Sequence, residues 1–314
     1  MKRLIALILL VSLALAGCGG QKPTALADSN SVTFTDDLGR TVTVQSHEKV
    51  AALLGSFAQI WMLAGGDVAA TAEDAWEDLE LELPAETVCL GSTKSLSLEK
   101  LFEVQPDFII ASTNTRQDLE WKETLESAGI PVAYFDVGDF DAYLRVLDIF
   151  TDITGRKDLY QENGLKVQSR MEAVLEKSRE RLSRKEAPSV LCIVASASSI
   201  RAKKSDGNVL GEMLRTLGCV NIADSDKQLL ENLSTEYILL ADPDAIFFVQ
   251  RGADTDATRE KIARDLESSP LWSELTAVKE GRVFFMDRML YNFKPNHRWA
   301  EAYEQLEEIL SNVN

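Results

Sequence analysis

Five basic side chains, Lys94, Arg116, Arg201, Arg251 and Arg288, stand in short polar stretches around apolar runs of strand length. Ser56, Asn114 and Ser196 lie in similar stretches, and Phe57, Trp76 and Tyr291 offer aromatic faces. These residue types suit a molecule that carries carboxylates or phenolates. Guanidinium and ammonium groups give charge-assisted hydrogen bonds, and an aromatic face takes a ring or macrocycle. Trp76 sits among acids in EDAWEDLE and is expected to be exposed. In a chain with 33 basic and 50 acidic residues, cations gathered at strand ends would focus positive potential in a cleft.

Other chemistries find little support. The chain has two histidines, His47 and His297, too few for a bare zinc or manganese site, and no zinc spacing is present. Neither a GxSxG elbow nor an HExxH helix occurs, so no catalytic residue, no metal and no cofactor is assigned and the chain is not read as an enzyme. A surface module that binds another protein, and a hydrolase whose Ser, His and Asp meet only in space, are the alternative readings. His297 reads as a solvated first-turn residue of the last helix, with Trp299 packed on the body. The acidic balance argues against nucleic acid as a partner.

The elements that must position these groups are announced by a repeated phrase. Leu96, Ser97, Glu99, Pro106, Asp107 and Ile109 are matched 137 residues later by Leu233, Ser234, Glu236, Pro243, Asp244 and Ile246. Each copy predicts a helix opened by a serine cap, stopped at Pro-Asp, and followed by a buried strand. In that setting Glu99 and Glu236 occupy first-turn positions, where a carboxylate is favoured by about 0.3–1 kcal/mol. The spacing is too long for a solenoid and fits two similar α/β lobes.

VTFTDDLGRTVTV predicts a β-hairpin. Apolar runs at 50–54, 68–71, 108–112 and 132–137, then at 189–195, 245–250 and 282–287, predict mainly parallel sheets covered on both faces. Helices are expected near 207–217, 257–266 and 297–312. One helix from about Asp141 should end at Gly155, and a long one from about Lys157 to Lys185 should connect the lobes, with Gly164 as its weak point. The expected organisation is a lobe at 32–155, a linker helix at 156–186 and a second lobe at 187–314.

The first 17 residues carry Lys2 and Arg3, an apolar run from Leu4 to Ala16 and a small-residue site, the pattern of a secretory signal too short to span a membrane. Without Lys2 and Arg3 the balance is 31 basic to 50 acidic, about −19. Leu15-Ala16-Gly17-Cys18 resembles a lipobox, which implies lipidation of Cys18, a flexible tether over 18–31 and a position outside the cytoplasm on the cell membrane, with contact to the membrane through the anchor alone. Cys89, Cys192 and Cys219 are not spaced as a disulfide framework; Cys192 and Cys219 read as small buried hydrophobes, with a bridge between them left open.

In order along the chain, DDLGRTVTV, KVAALLGSFAQIWMLAGG, LEKLFEVQPDFIIAS, NVLGEMLRTLGCVNIAD, STEYILLADPDAIFFV and LWSELTAVKEGRVFFMD resemble the substrate-binding proteins of ABC importers for iron-siderophore complexes, haem and cobalamin. The resemblance implies two α/β lobes joined by one long helix, a monomer that captures an iron chelate, haem or corrinoid between the lobes, and a permease dimer as partner. It also implies that Glu99 and Glu236 dock onto arginines of the two permease subunits. A two-lobed protein can present the same acidic handle to each of two like subunits.

Overall fold

The computed structural model describes residues 31–252 and 254–313, so the expected signal, Cys18 and nearly all of the tether lie outside the described residues. The chain opens with the predicted hairpin, β1 (Val32–Thr35) and antiparallel β2 (Thr41–Val44). Gly39 takes φ 75° in its turn. The Asp36 carboxylate accepts hydrogen bonds from the Leu38 and Arg40 amides, from the Arg40 guanidinium and from the Tyr134 amide, pinning the hairpin to the body.

Strands β3 (Val50–Ala52), β4 (Val68–Thr71) and β5 (Val88–Cys89) are then laid side by side in one direction. A small ribbon follows, β6 (Gly91–Ser92) with β7 (Ser95–Leu96). The chain next returns to the other side of β3 with β8 (Phe108–Ser112) and β9 (Val132–Phe135), giving the parallel order β5-β4-β3-β8-β9. In the second half, β10 (Ser189–Ala195) folds back as antiparallel β11 (Ile200–Lys203), and β12 (Val220–Asn221) runs beside the start of β10. On its other side come β13 (Ala245–Gln250) and β14 (Val283–Met286), both parallel. The antiparallel edge β11 was not expected from sequence.

Side chains alternate across a strand, and each central strand feeds two cores. From β8, Phe108 and Ile110 join the large inner cluster while Ile109 and Ala111 face an outer one. From β13, Ala245, Phe247 and Val249 face inward while Ile246 and Phe248 face outward. The inner cluster is continuous: it runs from the first sheet through the helices Phe140–Thr154, Lys166–Leu182 and Trp299–Ser311 to the second sheet.

Between β9 and β10 the backbone is helical over Phe140–Thr154 and again from Lys157 to Leu182. Gly155 in the left-handed region ends Phe140–Thr154, as expected. Helical backbone then continues from Lys157 to Leu182, with a π-helical turn at Gln161–Leu165. Gly164 sits in that turn because a Cβ there would lie 3.1 Å from Leu144 and 3.3 Å from Leu147. It is a packing contact as well as a weak helix former. Cys192 and Cys219 are buried and free, so the bridge left open by the sequence does not form; burial raises both thiols, Cys219 to about 12.

Both copies of the repeated phrase fold alike. Ser97 caps the helix Leu98–Val104 by accepting from the Lys100 amide at 3.2 Å, and Ser234 caps Thr235–Ala241 by accepting from the Tyr237 amide at 3.4 Å. Each helix ends on a left-handed residue that is not glycine, Gln105 and Asp242. Each aspartate then ties the new strand to its neighbour. Asp107 accepts from the Glu48 and Lys49 amides, and Asp244 accepts from the amide and hydroxyl of Ser189.

Candidate functional site

In a parallel sheet the crevice opens where strand order reverses, beyond the carboxyl ends of the strands. In the first sheet that point lies between β3 and β8, whose ends lead to Ser56 and Asn114. In the second it lies between β10 and β13, where the Arg251 amide donates to the Ala195 carbonyl at 2.8 Å. These ends share a cavity of about 740 Å³ lined from the first half by Ser56, Asp74, Asn114 and Asp136–Asp139, and from the second by Lys203, Asn208, Glu212, Arg215 and Arg251. Tyr291, Asn292, Phe293 and Lys294 complete it. A second hollow of about 610 Å³ shares Asn114 and Arg251 and adds Thr93, Lys94, Arg116 and Gln117.

Local contacts fix these side chains. The Asn114 amide nitrogen donates to Asp136 at 2.7 Å. Gln117 makes two hydrogen bonds to the backbone of Leu96, which holds the ribbon bearing Lys94 beside the helix Arg116–Glu120. The Asp74 carboxylate accepts from the Gly55 amide, and a Cβ on Gly55 would meet the Ala75 backbone at 2.7 Å, so only glycine permits this approach. Burial raises Asp74 above the usual carboxylate range.

The cleft carries both signs of charge, with Asp74, Asp136, Asp139 and Glu212 facing Lys203, Arg215, Arg251 and Lys294. Arg116 pairs with Glu120, and Arg215 with Glu212 and Asp206. Lys94, Lys203, Arg251 and Lys294 line the two hollows without an ion pair among the described residues. Lys294 is half-buried over the ring of Phe57, 5.4 Å from its centroid, and burial lowers its ammonium despite the opposing fields of Asp136 and Asp74.

Of the ligand-contacting residues expected from sequence, Ser56, Lys94, Asn114, Arg116, Arg251 and Tyr291 come together around these hollows. Tyr291 is 1% exposed and its hydroxyl donates to the Ala302 carbonyl, so its ring serves as wall more than as a free stacking face. The other five do not line them. Phe57 is fully buried, packed against Phe135. Trp76 is half-buried, not exposed, beside the Asp74 helix. Ser196 spends its hydroxyl in the β10–β11 turn with Ser198 and Ser199, and Arg201 is exposed on the edge strand. Arg288 pairs with Asp78 at 3.1 Å, across the seam between the halves.

That seam is closed by the segment after β14. Asn296, with φ 52°, donates to the Ser56 carbonyl and to Gln59, and Trp299 packs edge-on to Phe140. His297 is half-buried here, with Nδ1 unpaired and its pKa lowered by burial; it is not the solvated residue expected. Sequence reading missed Lys294 because the search followed strand ends, whereas Lys294 lies in an irregular stretch that crosses back to the first half. Lys203 was missed with its edge strand. Glu99 and Glu236 lie exposed on the first turns of the two phrase helices, and Glu236 is held below the usual carboxylate range by its own backbone amide and Ser234.

Two parallel-stranded halves that face one cleft define a solute-binding protein, and the chain belongs to the periplasmic binding protein family, whose model matches residues 50–290. It belongs with the substrate-binding components of ABC transporters, which are transport components and not enzymes. It is 26% identical to an ABC transporter substrate-binding lipoprotein of Bacillus subtilis, YvrC, covering 97% of this chain and 95% of the relative. It is 24% identical to the Fe(3+)-citrate-binding protein YfmC of the same organism, over 91% and 89% of the two chains. The crystal structure of Staphylococcus aureus SirA complexed with staphyloferrin B superposes with a TM-score of 0.68 at 20% identity, covering 90% of this chain and 99% of SirA. No described helix is long and apolar enough to cross a membrane.

Proposed function

We propose that this chain is the extracytoplasmic, lipid-anchored capture component of an ABC importer, which takes an anionic iron chelate, or a related haem or corrinoid, between its halves and hands it to a permease. The observation that carries this reading is the convergence of two strand-order reversals on one cleft, where Lys94, Lys203, Arg251 and Lys294 make no ion pair among the described residues although Asp74, Asp136 and Asp139 also line it. A carboxylate-rich chelate meets the charge and the volume of such a site, and one relative binds Fe(3+)-citrate. Cys18 carries the anchor, and the protein acts as a monomer on one permease dimer. Glu99 and Glu236, matched by the repeat and exposed, serve as the two docking handles.

Closure on the ligand is small in this proposal. The helical run from Lys157 to Leu182 stiffens the connection, and the inner apolar cluster passes through both halves. Thermal denaturation of the purified protein against ferric citrate, staphyloferrin B, haem and cyanocobalamin tests the reading. A ligand at a hundred times its Kd should add about 2.7 kcal/mol of stability. Failure of every compound to raise the midpoint would overturn it.

A further inference from the structure

We propose that Lys294 is a specificity-determining residue of the cleft: its ammonium receives an anionic group of the cargo in competition with Asp74 and Asp136, so that cargo charge is read at the seam between the halves. The inference rests on the binding reading above and adds the residue and the sign of the charge it selects. Lys294 follows β14 in sequence yet lies over Phe57 of the first half, and it lines the cleft beside Phe293 and Ser56. Asp136 and Asp74 act on it, but neither makes an ion pair with it among the described residues. Asp136 is already engaged by Asn114 and Asp74 by the Gly55 amide. A half-buried cation left without a close counter-ion gains from an anion that can approach it directly.

The surroundings explain why the charge counts here. Around Lys294, besides Asp74 and Asp136, the cleft presents Asp139 from the first half and Lys203, Glu212, Arg215 and Arg251 from the second. On its own stretch of chain, Asp287, Arg288, Tyr291, His297 and Arg298 are the neighbouring charged or titratable groups. Glu212 and Arg215 neutralise each other. Burial pulls Lys294 below the ordinary lysine range, and a bound carboxylate restores it. Affinity for an anionic cargo is therefore full while the ligand-free lysine is protonated, and is lost as pH rises through its lowered pKa.

Titration calorimetry with ferric citrate, staphyloferrin B, haem and neutral cyanocobalamin provides the test. Lys294→Met should weaken the anionic ligand that binds by about tenfold or more near neutral pH and leave cyanocobalamin unchanged. From about pH 7 to about pH 10 the wild type should lose affinity faster than Lys294→Arg, whose guanidinium stays charged; the comparison cancels titration of the ligand itself. Should Lys294→Met fail to fold, the arginine variant decides alone. Equal affinity in wild type and Lys294→Met, or the same pH profile in wild type and Lys294→Arg, overturns the inference. Binding of cyanocobalamin alone overturns it and leaves the importer reading standing, whereas binding of none of the four removes both.

Discussion

Asn114 and Arg251 stand 137 residues apart at the same position in the two copies of one helix-to-strand unit, and both line both hollows of the cleft. The copies have diverged in charge but not in place. Asn114 is tied to Asp136, whereas Arg251 has no ion-pair partner among the described residues. Arg251→Ala should therefore weaken ferric citrate by about tenfold or more, and Asn114→Ala by less, as read by calorimetry. Equal losses would show that the two positions share the ligand evenly.

The exposed pair Glu99 and Glu236 should separate docking from capture. Replacing both by alanine is expected to abolish iron uptake by cells while the Kd of the purified protein stays unchanged. Each serine cap persists in the variant, so the thermal midpoint should move little. Normal uptake by the double variant would remove the docking role.

Asp118 gives the stability a pH dependence. It is fully buried behind β8, one oxygen accepting from the Ser112 amide and the other unpaired, and burial pushes its pKa up to about 7. Its folded-state pKa lies above the unfolded value, so its contribution is fully present below about pH 4 and is lost as pH rises toward 7, at about 1.4 kcal/mol per pH unit. Asp118→Asn should melt higher than the wild type at about pH 8, with the gap narrowing toward pH 5. A pH-independent gap would contradict this account.

Arg181 and Glu307 join the helices Lys166–Leu182 and Trp299–Ser311 through a two-pronged ion pair at 3.0 and 3.2 Å, each side chain only 7% exposed. Glu307→Ala strands a buried guanidinium and should cost about 3–5 kcal/mol in urea denaturation. Arg181→Met with Glu307→Leu should cost much less, since no buried charge remains. The Leu217 carbonyl, which accepts from both Ser178 and Arg181, keeps one of its partners in that double variant.

The parallel strands were legible because a strand covered on both faces is a continuous apolar run, as in FIIAS and AIFFV. The phrase was legible because caps, proline and aspartate act locally, within a few residues of where they stand. β11 and β12 were not legible: β11 is a half-exposed edge, IRAK, and β12 has two residues. The cleft was legible where it is built from the strand ends and the loops that follow them, which gave Ser56, Lys94, Asn114, Arg116, Arg251 and Tyr291. Lys294, Asp74 and Asp136 line one cleft from the two sides of the seam, information carried by no single stretch of chain. Phe57 and Tyr291 were placed in the right neighbourhood, but their side chains turn into packed surroundings, which residue type does not reveal.

The inner apolar cluster has a further consequence. A repeat at this spacing records a unit used twice, yet Val50, Phe108, Val190 and Phe247 belong to one contiguous packing network, joined by Leu147, Met171 and Leu306. Neither copy can expose its inner face to water without the other doing so. The two halves should therefore melt in one calorimetric transition, and a chain cut after residue 186 should yield two insoluble fragments that regain solubility only when mixed.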